Sequence, residues 1–159
     1  MRVGLGYDSH RFADGRGRKL ILGGVEIPHP QGLAGHSDAD VVTHALTDAI
    51  LGAAALGDIG GMFPDTDPRW KDCSSLYLLD QAYHAVRERG LALVQCDLTV
   101  IAERPRVAPH VMEMRRKLAT VLLVEPAVVS IKGKTNEGMG FIGRGEGLAC
   151  LATATLFRA

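Results

Sequence analysis

The chain has 159 residues, 47% of them hydrophobic and 23% charged, which suits one globular domain with a single core and excludes a disordered or fibrous chain. Lys+Arg and Asp+Glu both number 18, so no polycationic field exists to hold nucleic acid, and a 5% aromatic share offers little for base stacking. Three cysteines without a CxxC pair, no apolar run of membrane-spanning length, and an N-terminus that enters a strand pattern at once point to a cytoplasmic protein without a disulfide framework or a membrane partner.

Arg2 to Ser9 starts apolar and alternates, which predicts a first strand ending at Asp8-Ser9-His10. Asp14 to Gly17 is a turn, and Leu20 to Ile27 reads as the hairpin partner of that strand, ended by Pro28 and Pro30. After the loop Gly32 to Ser37 comes the clearest helix. Ser37 and Asp40 have the capping-box spacing, Val42, Ala45, Leu46, Ala49, Ile50 and Ala53 recur at helical period, and Gly57 is the expected stop. A second helix is predicted over Ser75 to Arg89, with Leu76, Leu79, Tyr83 and Val86 inward and Gly90 beyond its end. Leu91 to Ala102 alternates as a strand. Pro109 fits the first turn of a third helix carrying Val111, Met114, Leu118, Val121 and Leu122. Ala127 to Lys132 and Gly147 to Phe157 read as two more strands. The expected fold is α/β of the α+β type: a single domain over residues 1–159, with a mixed sheet covered by helices on one face. The last strand is apolar on both sides, so the second face needs a partner, and a second copy of the chain is the simplest one.

Residues two apart on a strand point the same way, so Asp8 and His10 can converge on one ion. His44 lies on the helix with Asp40 and Asp48 at i−4 and i+4, on its own stripe. One carboxylate and two imidazoles suit zinc, and three protein ligands leave the fourth tetrahedral position open, as catalytic sites do. Asp40 or Asp48 would then accept the other ring N–H of His44. The same residues also fit a plainer reading, in which Asp8-Ser9-His10 is a turn bonded to its own backbone and His44 a satisfied surface histidine.

Several segments together decide between these. Gly6-Tyr7-Asp8-Ser9-His10, His36-Ser37-Asp38-Ala39-Asp40 with His44, the run from Ala45 through Gly60, Phe63-Pro64-Asp65-Thr66-Asp67-Pro68 and Gly140 to Gly147 closely resemble the 2-C-methyl-D-erythritol 2,4-cyclodiphosphate synthase family, in order and spacing over nearly the whole chain. The resemblance implies a homotrimer with active sites between subunits, packed through the uncovered sheet face. It implies a cytidine diphosphate ester of methylerythritol 2-phosphate as substrate, with the cyclic diphosphate and CMP as products. By the same resemblance Asp8, His10 and His44 match zinc ligands, and Glu137 matches the holder of a second divalent ion, magnesium or manganese. His36 and Thr135 match catalytic positions that stabilise the transition state. Asp8, Ser9, His10, His36 and Ser37, with Asp58, Ile59, Gly60, Phe63, Asp65 and Asp67, fall where the methylerythritol and its phosphate are held. Ala102, Pro105, Arg106, Val107 and Ala108, with Gly133, Lys134, Thr135 and Glu137, match the cytidine and diphosphate pocket, and Phe141 and Arg144 lie near the trimer axis.

Lys132-Gly133-Lys134-Thr135 departs from the family's frequent Lys-Ala-Thr-Thr, placing a cation at Lys134, and Arg106 replaces a common lysine. Taken alone, Gly143 to Gly147 and Phe63 to Pro68 also read as turns, His29 and His84 as solvent histidines, His110 as a helix-end residue and Arg115-Arg116-Lys117 as a solvated face. Two other functions fit the ligand set: a metal-dependent phosphohydrolase using water as nucleophile, and a zinc-stabilised binding module without catalysis.

Overall fold

A computed structural model describes residues 1–158. The elements run β1 (Arg2–Arg11), β2 (Leu20–Leu22), β3 (Val25–Ile27), α1 (Val41–Ala54), α2 (Ile59–Met62), α3 (Ser75–Glu88), β4 (Leu91–Ile101), α4 (Val111–Val121), β5 (Val129–Lys134), α5 (Gly140–Gly143) and β6 (Gly147–Arg158). The main sheet has the order β1-β6-β4-β5. β6 is antiparallel to both of its neighbours, and β5 is parallel to β4. This is a mixed sheet, as expected.

Strand alternation fixes what β1 can do. Gly4, Gly6, Asp8 and His10 point to the helix side, while Val3, Leu5, Tyr7 and Ser9 point away and are exposed. The two glycines let α1 lie directly on the strand: a Cβ on Gly6 would sit 1.9 Å from the Ala45 carbonyl oxygen. That close approach carries His44 over Asp8. The core then fills with Leu46, Ile50, Leu79, Leu98, Met114, Leu118 and Leu148, all fully buried. α1 is buried nearly all round, so its residues Val41, Thr43, Thr47 and Leu51 are as enclosed as the six expected positions.

Five expectations need correction. Leu20 to Ile27 does not pair with β1; it folds on itself as a two-stranded sheet, because Gly23 and Gly24 both take positive φ (56° and 73°), as the tight turn of a hairpin requires. The capping box is absent. Asp40 is itself the N-cap, accepting from the backbone of Val42 and Thr43, and its carboxylate also receives Gly23 N–H, Gly24 N–H and the Thr43 hydroxyl. α1 stops at Ala54 through a left-handed Ala55 (φ 56°), two residues before Gly57. Pro126–Val128 forms a 3-10 turn, which shifts the next strand to Val129–Lys134. Pro109 likewise sits in a 3-10 turn that leads into α4. No helix among the described residues is long and apolar enough to cross a membrane.

Candidate active site and metal centre

At the end of β1, Asp8 Oδ2 lies 2.9 Å from His10 Nε2 and 3.1 Å from His44 Nδ1, and the two ring nitrogens are 3.3 Å apart. All three side chains are half-buried. The far nitrogen of His10, Nδ1, is 2.7 Å from the Ala34 carbonyl oxygen. A carbonyl only accepts, so Nδ1 carries a hydrogen, and in the neutral ring Nε2 is the nitrogen left with a lone pair on the cluster side. Burial opposes ionisation of Asp8, but the hydrogen bonds and charges of His10 and His44 outweigh it and hold the carboxyl well below its usual range. His10 is raised: burial works against its charged form, and Asp8 and the Ala34 carbonyl overcome that.

The expected partners behind His44 are not the ones found. Asp40 is spent on the helix cap and the β2–β3 turn, and Asp48 Oδ1 accepts Ile59 N–H at 2.7 Å, tying α2 to α1. His44 Nε2 instead meets Ser75 Oγ at 2.8 Å and Ser37 Oγ at 3.1 Å. Arg18, absent from the sequence reading, donates to the Ser37 carbonyl and secures that loop from outside. Neither contact has a local signal, since Ser75 is 31 residues from His44 and Arg18 is 19 from Ser37.

Two cavities carry most of the other expected residues. The first, about 550 Å³, is lined by His10, His36, Ser37 and His44 on one side and by Ile59, Gly60, Phe63, Asp65 and Trp70 on the other. Trp70 was not anticipated there; its ring meets Phe63 edge-on at 5.1 Å. The second, about 430 Å³, is lined by Ala102, Arg104, Pro105, Arg106, Val107 and Ala108 from one loop and by Gly133, Lys134 and Thr135 from β5 and the residue after it. Three cations against one carboxylate make it an anion site, and that carboxylate, Glu103, is engaged by the backbone N–H groups of Asn136 and Gly138. Thr135 donates to Glu137 across 3.0 Å.

Other residues stand apart. Ser9 is exposed on the opposite sheet face, Asp58 caps α2 through Gly61 N–H, and Asp67 is paired with Arg69 at 2.6 Å. Phe141 and Arg144 border neither cavity, and Arg144 pairs with Glu146. His29 is not a free solvent histidine; it stacks on Phe12 with centroids 5.0 Å apart. Because β1, β4 and β5 run in the same direction, both cavities open at one end of the sheet. The first is built at β1 and the second at β5, the two edge strands, which are three strand spacings or about 14 Å apart. His36 and Thr135 are therefore not brought together within one chain.

The donor set fits a metal ion. Asp8, His10 and His44 form the one such group among the described residues, with ligand atoms within 4.8 Å of one another. A three-ligand set on a cavity wall leaves a position for a further ligand.

The profile of the YgbB family matches residues 1–157. The 2-C-methyl-D-erythritol 2,4-cyclodiphosphate synthase of Syntrophomonas wolfei is 52% identical over 159 residues, covering 100% of both chains. A solved structure of 2C-methyl-D-erythritol-2,4-cyclodiphosphate synthase in its CDP-bound form superposes with a TM-score of 0.88 at 39% identity, over 98% of this chain and 100% of that one. The bifunctional IspDF of Campylobacter jejuni gives 0.92 at 44% identity, where this chain spans 98% of its own length and 42% of the other.

Proposed function

Since the chain belongs to the YgbB family of cyclodiphosphate synthases, phosphorus-oxygen lyases of isoprenoid biosynthesis, we propose that it closes 4-diphosphocytidyl-2-C-methyl-D-erythritol 2-phosphate into 2-C-methyl-D-erythritol 2,4-cyclodiphosphate and releases CMP. The observation that carries this reading is the Asp8–His10–His44 cluster on the wall of one cavity, matched by a separate cationic cavity for a diphosphate. Asp8, His10 and His44 would hold zinc, and Glu137 a magnesium or manganese ion; such ions supply Lewis-acid stabilisation of charge on the diphosphate oxygens.

An oxygen of the 2-phosphate attacks the β-phosphorus as the bond to the bridging α–β oxygen breaks, and the electron pair leaves with CMP. The phosphate is already anionic, so the chain needs no serine or cysteine nucleophile. Its own work is to bring the two ends of the substrate together and to balance charge in the transition state. His36, Ser37 and Asp65 line the cavity for the methylerythritol phosphate, with Ile59 and Phe63 excluding water. Arg106, Lys134 and Thr135 face the nucleotide phosphates, where cations and a hydroxyl oppose the growing charge. Positioning alone supplies about 7–11 kcal/mol in favourable cases, enough for a site without covalent catalysis.

One substrate must touch both cavities, and one chain holds them at opposite flanks. A homotrimer with each site shared between neighbouring copies resolves this, in the reducing cytoplasm that three free cysteines suit. Phosphorus NMR of the enzyme with the cytidine diphosphate substrate, zinc and magnesium tests the reading. The expected result is a cyclic diphosphate with CMP; release of inorganic phosphate would make the protein a phosphohydrolase instead.

A further inference from the structure

His44 presents one nitrogen to the cluster, and the groups behind it determine whether that nitrogen has a lone pair to give. Ser75 begins α3 and is wholly buried. Its backbone N–H donates to Asp38 Oδ2 at 3.0 Å, and its hydroxyl lies in hydrogen-bond contact with Asp38 Oδ1. The carboxylate also receives Asp40 N–H. A carboxylate accepts, so the single hydroxyl hydrogen of Ser75 is committed to Asp38. Only lone pairs of Ser75 Oγ remain for His44 Nε2, 2.8 Å away. Nε2 must then carry a ring hydrogen; on the other side Asp8 Oδ2, 3.1 Å from Nδ1, accepts in the metal-free ring, and Nδ1 has its lone pair to give once a metal takes the place of that hydrogen. Ser37 Oγ, at 3.1 Å from the same nitrogen, already receives Ala39 N–H and is the weaker second acceptor.

We propose that Ser75, oriented by Asp38, is a positioning residue that fixes the tautomer of His44 and so makes Nδ1 a metal donor. His10 reaches the same end by the opposite nitrogen, through the Ala34 carbonyl. The chain uses a backbone acceptor for one histidine and a side-chain relay for the other. The relay also joins the start of α3 to the cluster, because the carboxylate that orients the hydroxyl receives the first amide of that helix. This inference rests on the metal reading above.

The test uses the full, metal-free chain with ¹⁵N-labelled histidine and compares Ser75→Ala with Ser75→Thr, which keeps a hydroxyl. Long-range proton–nitrogen correlation reads the tautomer of each ring, and competition with a chromophoric chelator reads zinc affinity. The wild type should show His44 with hydrogen on Nε2. Ser75→Ala should show a mixture of tautomers and bind zinc roughly 10–100-fold more weakly, and Ser75→Thr should recover most of that loss. A wild type with hydrogen on Nδ1 and none on Nε2 overturns the proposal even if the alanine variant fails to fold. So does a folded Ser75→Ala that keeps both the tautomer and the affinity, or a threonine variant as weak as the alanine one. A wild type that binds no zinc overturns the metal reading, and the tautomer spectrum then still decides whether Ser75 sets the ring.

Discussion

Asp8 and His10 stabilise each other across 2.9 Å, and the metal-free protein should reveal it through pH. His10 is raised from 6.5, so its contribution is complete below that value and is lost as pH climbs through the folded one. Asp8 is lowered from 3.8, so its contribution is complete above that value and is lost only as pH falls through its depressed one. The urea midpoint of the metal-free chain should therefore fall as pH climbs above 6.5, and Asp8→Asn should flatten that slope. A wild-type slope that survives the substitution would show the pair to be inert. The cysteines make a second residue-scale prediction. Burial pushes Cys96 up to about 12 and Cys150 higher still, whereas Cys73 is only half-buried and less perturbed. A thiol reagent at neutral pH should label Cys73 in the native protein and the other two only after unfolding. That Asp8 and His10 can converge was legible from spacing, because a strand of period two aligns them; the resemblance, not the spacing, added His44 to the set. The groups behind them were not. Ser75 and Asp38 meet across 37 residues, a contact made by packing α3 against α1, and no local pattern encodes it.

At the scale of elements, the seating of α1 on β1 carries the site. Gly6→Ala would drive a Cβ to 1.9 Å from the Ala45 carbonyl oxygen, with backbone that cannot yield cheaply. The expected cost is about 1–3 kcal/mol or more in urea unfolding, together with weaker zinc binding as His44 is lifted from Asp8. Gly52→Ala is the matched control. Nothing lies within 4 Å of its added Cβ, and it sits on an exposed turn inside the same helix, so it should stabilise by about 0.4–1 kcal/mol. A neutral Gly6→Ala would contradict the packing described. The three long helices, α1, α3 and α4, and the four long strands follow hydrophobic periodicity, which is why they were readable, whereas the single turns α2 and α5 are too short to show a period. The β2–β3 turn was not, because two adjacent glycines close a hairpin locally while the alternation on either side looks the same whichever strand it pairs with. The start of α1 was misplaced for a related reason: Ser37 and Asp40 match a capping pattern, and burial of Asp40 beneath the hairpin makes the later residue the cap.

The whole molecule leaves one sheet face apolar and open. Val3, Leu5 and Tyr7 of β1 are 71%, 68% and 51% exposed, and Leu151 of β6 lies beside Tyr7. In the proposed homotrimer this row is the surface that another copy covers. Leu5→Lys should then yield a monomer by analytical ultracentrifugation, inactive yet still able to bind zinc, since Asp8 and His10 face the other way. A fully active Leu5→Lys monomer would refute the shared site. Apolarity of β6 on both sides made an open apolar face legible in the sequence, but neither the order of an assembly nor the sharing of sites can be read from periodicity. The division of labour became visible only when the fold set the two cavities at opposite flanks of the sheet.

The most direct test of that division is to co-express two variants that are each inactive alone. His44→Ala damages the first cavity, and Thr135→Ala with Glu137→Ala damages the second. If sites form between copies, mixed oligomers contain some with both halves intact, and cyclic diphosphate should return at roughly a quarter of the wild-type rate for random mixing in a closed ring. If tagged, purified mixed oligomers make no cyclic product, the two cavities do not serve one site across an interface, and the account fails at its centre.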